Sequence, residues 1–197
     1  MRAFIVYDHP YPESFAAAAL RAVVSGLAAA GHEADVADLH ADRFDPVYPA
    51  EALARYAEGA PADASVLDYQ RRIDAAHHLV FVFPVWWQVL PAMSKGFLDK
   101  VLLPGWAFEL REGTPVGLLG RLRVTFVTSM GATASEYTSE FGNALVGMFT
   151  RGTWGFVGIP EQQVTWLNFA DIDRSTLVAR REWLNGVEEY FRSLTHN

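Results

Sequence analysis

The chain of 197 residues has no cysteine. That excludes disulfide staples, a thiolate nucleophile and any cysteine-ligated metal site. Cations are few: 16 lysines and arginines face 23 acids, for a net charge of −7. Such a balance argues against the broad basic face that nucleic-acid binding requires, and it disfavours electrostatic attachment to a membrane. No apolar run reaches the length of a membrane-spanning helix. The opening MRAFIVYDHP does not have the form of a secretory signal, because its apolar run is short and broken by Asp8. A cytoplasmic protein is the resulting expectation. The glycine fingerprint of dinucleotide-binding turns is also missing: GTPVGLLG (113–120) neither follows a strand nor opens a helix. The 6 histidines are scattered and no metal site is expected. No repeat, low-complexity segment or linker interrupts residues 1–197, which read as a single domain.

What is present alternates between buried strands and amphipathic helices. AFIVY (Ala3–Tyr7) is an apolar run of strand length, closed by Asp8-His9-Pro10. Ser14 is a natural N-cap for the alanine-rich stretch that follows, and Gly31 a natural stop. EADVADL alternates as a second strand. Residues 43–63 form an insertion with a short helical piece, and Ser65–Ala76 reads as a helix. LVFVF (Leu79–Phe83) is a third strand. Pro91 opens a helix whose inner stripe is Leu90, Met93, Phe97 and Val101. Pro104–Gly120 reads as a glycine-rich loop, RVTFVTSM as a fourth strand, Thr138–Thr150 as a helix and Gln163–Leu167 as a fifth strand. Asp173–Leu194 is a final helix with Leu177, Leu184, Val187, Phe191 and Leu194 inward. Strands alternating with helices and buried on both faces give an α/β, doubly wound, five-stranded parallel sheet of order 2-1-3-4-5, the flavodoxin-like arrangement.

In sheets of that order, ligands sit beyond the carboxyl ends of strands 1 and 3, where strand order reverses. The segment after strand 1 is DHPYPES, with His9, Ser14 and a helix N-terminus that favours a phosphate. The segment after strand 3 is PVWWQ, whose Trp86 and Trp87 offer flat apolar rings. An anion site facing a planar aromatic surface describes a nucleotide-like cofactor, flavin above all. A phospho-receiver domain on the same fold needs an acid cluster after strand 1 and an aspartate after strand 3. The lone Asp8 and Pro84-Val85-Trp86 exclude it.

YDHPYPESF, VYPAEALARYAEG and FPVWWQVLPAMSKGFLDKVLLPGWAF resemble the NAD(P)H:quinone oxidoreductase family, which includes DT-diaphorase and the ancillary flavoproteins of potassium-efflux systems. The similarity runs in order over nearly the whole chain. It implies a two-electron hydride transfer from NAD(P)H through flavin N5 to a quinone-like acceptor, in ping-pong order. The alternative is a regulatory flavoprotein subunit on a potassium-efflux transporter. The implied cofactor is FAD, with FMN as the alternative, and the implied assembly a homodimer with sites at the interface. By this resemblance His9, Ser14 and Phe15 hold the phosphate and ribityl end, and Pro84, Val85, Trp86, Trp87 and Gln88 line the isoalloxazine edge. Trp87, Trp106 and Phe108 wall the substrate pocket. Ser129, Met130 and Gly131 surround the pyrimidine end, and Tyr137 supplies a hydroxyl. The chain departs from the family pattern in two places: the doubled glycine of that loop is gone, and no histidine lies between Gly131 and Pro160. The second departure leads us to expect a flavin harder to reduce than in relatives that keep the histidine.

Overall fold

The computed structural model describes residues 1–195. Five parallel strands, β1 (Arg2–Tyr7), β2 (Glu33–Asp38), β3 (His78–Pro84), β6 (Arg123–Ser129) and β7 (Val164–Phe169), form one sheet in the order β2-β1-β3-β6-β7. This is the 2-1-3-4-5 order expected from the sequence. The helices are α1 (Phe15–Ala29), α2 (Ala50–Leu53), α3 (Ala64–Asp74), α4 (Ala92–Val101), α5 (Ala134–Ser139), α6 (Ala144–Gly147) and α7 (Leu177–Arg192).

The period of two along each strand divides the core into unlike halves. Ala3, Ile5, Val80, Val82 and Val127 face α1 and α7. Phe4, Phe81, Phe83 and Phe126 face the other layer, where Phe149 and Trp154 close over them. Phe126 and Phe149 stack with centroids 3.7 Å apart. The first half packs small residues closely. A Cβ on Gly26 of α1 would lie 2.3 Å from the Glu188 carbonyl of α7, so only glycine allows that approach. The 43–63 insertion is held by Lys100, which is 2% exposed: its ammonium donates to the Asp45 carbonyl at 2.7 Å and meets the Asp63 carboxylate at 3.0 Å.

Three expectations need correction. Pro104–Gly120 is not merely a loop: it holds an antiparallel hairpin, β4 (Phe108–Arg111) with β5 (Thr114–Gly117). The single helix expected over Thr138–Thr150 is instead α5, α6 and a run of wide π turns at 148–154. Gly142 and Asn143 take φ of 64° and 55°, a left-handed pair that a right-handed helix cannot contain. The last helix begins at Leu177, capped by the Thr176 hydroxyl, which accepts from Ala179 N–H at 3.1 Å. Leu177, expected inward, is 70% exposed in this first turn.

His78 opens β3, and its Nε2 lies 2.8 Å from the Thr125 hydroxyl. Burial, reinforced by the Arg123 charge, pushes its pKa from 6.5 down to about 4. The imidazole is therefore neutral in the fold, and the unfolded chain takes up its proton first. Stability should fall as pH drops below the unfolded value, by about 2 kcal/mol between roughly pH 7.5 and pH 5. Urea denaturation across that range checks this, with His78→Gln expected to flatten the dependence.

Candidate functional site

The carboxyl ends of β1, β3 and β6 splay into loops that meet the start of α1. Ser14 caps α1, its hydroxyl accepting from Ala17 N–H at 3.1 Å. The N–H groups of Phe15 and Ala16 have no acceptor within the helix, and the first turn carries no acid. The first turn of α1 therefore supplies no counter-charge of its own, and Glu13, just before the cap, accepts from the Tyr11 hydroxyl at 2.9 Å. His9 stands at the rim, its Nδ1 accepting from Tyr11 N–H at 3.0 Å. That bond assigns the remaining proton to Nε2, and burial lowers the pKa, so His9 presents a neutral N–H donor. Its ring meets Trp86 edge-on, with centroids 5.9 Å apart.

After β3 the chain makes one tight turn. Trp86 and Val89 exchange backbone hydrogen bonds at 3.1 Å. Between them Trp87 and Gln88 take φ of 51° and 65°. Two left-handed residues in succession usually require Asn-Gly, so a tryptophan and a glutamine here store strain. The turn holds the Trp87 ring 95% exposed, while Trp86 is 46% exposed. An indole left in water next to a crevice is the mark of a surface kept for a ligand.

β6 ends beside this turn. Pro84 is in register with Ser129, and Val85 N–H donates to the Ser129 carbonyl at 2.8 Å. Pro84, Val85, Trp86 and Trp87 face Ser129, Met130 and Gly131 across a cleft of about 380 Å³. Seven of the expected cofactor residues thus come together. The cleft is closed by Ile172 and Asp173, which the sequence pattern did not single out. Their loop is fixed by Ile172 N–H, which donates to the Met130 carbonyl, and by Asp171 N–H, which donates to that of Ala132. A Cβ on Gly131 would lie 2.6 Å from an Asp173 carboxylate oxygen, so a side chain there would push Asp173 aside. The acidic pair at 171 and 173 flanking an apolar residue was visible in the sequence, but its role depends on a fold-level contact.

The remaining expected residues lie elsewhere. Phe15 packs against Phe169 and Trp183, with centroids 5.1 and 5.5 Å away. Tyr137 is 2% exposed and does not line the cleft. Its hydroxyl accepts from Leu145 N–H at 3.0 Å and reaches the Gln88 carbonyl at 3.4 Å, so it ties α6 to the strained turn from behind. Removing it by Tyr137→Phe strands the buried Leu145 N–H. We expect a loss of about 1–2 kcal/mol by urea titration and a several-fold weaker flavin affinity as Gln88 loosens. Trp106 does not wall the cleft of its own chain: its indole N–H donates to the Asp74 carboxylate at 3.1 Å. Phe108 sits edge-on to Phe156 at 4.9 Å and lines a separate apolar cavity of about 630 Å³ with Tyr48, Leu53 and Tyr56. Among the described residues no cluster of histidine, aspartate and glutamate has the form of a metal site, and no helix is long and apolar enough to cross a membrane.

The sequence profile of the family described as having a flavodoxin-like fold matches residues 1–186. The chain belongs to that family. It is 30% identical over 160 residues to the mouse (Mus musculus) ribosyldihydronicotinamide dehydrogenase [quinone], covering 71% of this chain and 67% of the relative. It is 28% identical over 188 residues to the NAD(P)H dehydrogenase [quinone] 1 of Cavia porcellus, covering 84% and 68%. The chain thus spans about two thirds of the length of these mammalian relatives. Among solved structures, Smu.1420 from Streptococcus mutans UA159 superposes with a TM-score of 0.85 at 26% identity, covering 98% of this chain and 100% of that one. The NAD(P)H:quinone oxidoreductase from Methanothermobacter marburgensis superposes with a TM-score of 0.87 at 24% identity, covering 99% of each chain; at that identity the likeness bears on the fold.

Proposed function

We propose that the chain is a flavin-dependent NAD(P)H:quinone oxidoreductase, with FAD bound where β1, β3 and β6 end. One observation carries this reading: the His9 ring, in the loop that leads into α1, lies 5.9 Å from that of Trp86, and Trp86 and the exposed Trp87 line the cleft. The names of the mouse and Cavia porcellus relatives support the reaction class.

The residues present fit a flavin. The free N–H groups at the start of α1 and the neutral His9 donor suit its phosphates. Pro84 to Gln88 offer a flat apolar edge, and the glycine at 131 lets a ring approach the backbone. The half-buried rings of Phe15, Phe169 and Trp183 form a platform at the first turn of α1 on which an adenine can stack, which favours FAD over FMN. When bound, the flavin supplies the two-electron chemistry. The chain's part is to orient and to tune. Trp87 gives nicotinamide and then quinone one shared wall, so the two substrates use the site in turn. In this loop the Met130 N–H already donates to the Phe169 carbonyl at 3.0 Å, so the Gly131 N–H is the donor left for the pyrimidine end. A second copy of the chain would cover the apolar face around Leu53, Phe108 and Phe156 and bring aromatic side chains toward the cleft.

Release of flavin by denaturation, followed by chromatography, tests the cofactor; recovery of FMN alone would remove the FAD assignment. Parallel double-reciprocal plots with menadione test the shared site, and sedimentation tests the dimer. The Asp173 carboxylate opposes added negative charge in the cleft. Asp173→Asn should therefore raise the midpoint potential of the bound flavin, by roughly 15–30 mV for a carboxylate in this partly solvated position.

A further inference from the structure

We propose a second binding site, at the end of the sheet opposite the cleft, that takes a multiply charged oxyanion of the phosphate class. β3 and β6 begin side by side there, with His78 in register with Arg123. A cavity of about 160 Å³ opens between them, lined by His77, His78, Arg121, Arg123, Leu194 and Thr195, together with Met1. Among the described residues no carboxylate lines it. On a chain of net charge −7, a concave surface of arginines and imidazoles without acids runs against the average.

The donors around the hollow differ in how far each is already committed. His78 is 1% exposed, its Nε2 is committed to Thr125, and its Nδ1 has no hydrogen-bond partner. A buried polar atom without a partner is costly, and a ligand that contacts it removes the cost. With Nε2 accepting from the Thr125 hydroxyl, Nδ1 carries the proton as a donor. Arg121 is held rigid at the end of α3, donating to the Ala76 carbonyl at 2.7 Å and to the Ile73 carbonyl at 3.2 Å, with Asp74 on the same nitrogen. Its orientation is fixed without any ligand. Arg123 forms no ion pair among the described residues. The His77 Nδ1 accepts from Arg2 N–H at 3.3 Å, which assigns its proton to Nε2. The Arg123 guanidinium, the Arg121 guanidinium shared with Asp74, and two imidazole N–H donors around a small hollow match the several acceptor oxygens of a tetrahedral oxyanion. Burial is the main cause of the depressed pKa of His78; the smaller share that comes from the Arg123 charge is the share that favours an anion.

The test uses the full chain with its flavin, in a phosphate-free buffer. Inorganic phosphate is titrated against chloride at equal ionic strength, while the ring nitrogens of His78 are followed by NMR and the heat by calorimetry. The expected result is a saturable shift at His78 Nδ1 with phosphate and none with chloride. Arg123→Glu, and Arg123→Gln should the first fold poorly, should weaken phosphate at least tenfold while flavin content and menadione turnover stay unchanged. A parallel titration with glycerol phosphate separates a free oxyanion from one carried on an organic group; saturation by either supports the site. Equal responses to phosphate and chloride, or an unchanged phosphate affinity in both Arg123 variants, would overturn it. Because the readout lies at the far end of the sheet, a failure here leaves the flavin reading standing, and the reverse holds.

Discussion

Ser14→Asp should fold with undiminished stability and lose flavin affinity by about a hundredfold or more. The two halves of this expectation come from the same helix end. Ser14 caps α1 through a side-chain oxygen that accepts from Ala17 N–H. Aspartate is an equally good cap, and its charge is favoured by a helix whose first turn carries no acid. Thermal or urea unfolding should therefore show no loss, or a gain of a few tenths of a kcal/mol. The same carboxylate stands where the proposed phosphate must dock. Two negative charges about 4–5 Å apart near a protein surface repel by roughly 3–4 kcal/mol at an effective dielectric near 20, which is two to three decades in affinity. Ser14→Asn is the control: it caps without charge and should stay within about fivefold of wild type. Fluorescence titration of the stripped protein with FAD reads both variants. Wild-type affinity in the aspartate variant would remove the phosphate from this helix end, and with it the placement of the cofactor.

The fold was legible because its signals are local and strong. Strands buried on both faces read as continuous apolar runs, and LVFVF and AFIVY have no other economical use. The topological rule then located the cleft before any side chain was placed, and PVWWQ fell on it. What was illegible depended on contacts between distant parts of the chain. Leu177 sits at helical spacing from Leu184 and Phe191, yet it occupies the first turn, where α7 has not reached the sheet. The β4–β5 hairpin is built from two strands of four residues, too short for an alternation to be counted. Tyr137 and Trp106 carry side chains that suit a cofactor wall; burial between α6 and the Gln88 turn, and a bond to Asp74, respectively, put them elsewhere. Asp173 reaches the cleft only because the loop after β7 hydrogen-bonds to the loop after β6. No periodicity in one sequence can announce that contact.

Asp8 is the plainest case of a residue whose type was visible and whose work was not, and its removal should cost more stability than the loss of Tyr137 or of any hydroxyl cap. It follows β1 and is 1% exposed. One carboxylate oxygen accepts from Ser94 N–H at 2.7 Å and from the Ser94 hydroxyl at 2.6 Å; the other is 3.0 Å from His40 Nε2. The N-cap position of helix α4 is Pro91, which has no side chain to cap it. Asp8 supplies that cap from another strand, and the α4 dipole with the His40 donor makes a buried negative charge tolerable. Asp8→Ala leaves the Ser94 N–H and the His40 donor without their acceptor in a buried place. We expect a loss of about 2–4 kcal/mol in urea titration, from the lost hydrogen bonds to a carboxylate and the stranding of the buried Ser94 N–H. Ser94→Ala deletes only the hydroxyl bond and should cost about 1 kcal/mol. His40, partly exposed, can turn to water, so His40→Gln should cost about 1 kcal/mol or less. The functional consequence follows from position. Asp8 joins the loop that carries His9 to the helix that follows the Trp86–Gln88 turn, so the His9 loop and the indole turn are set against each other through one carboxylate. Asp8→Ala should therefore also weaken flavin more than Ser94→Ala does. Equal stability of Asp8→Ala and wild type would mean that the walls are fixed by packing alone.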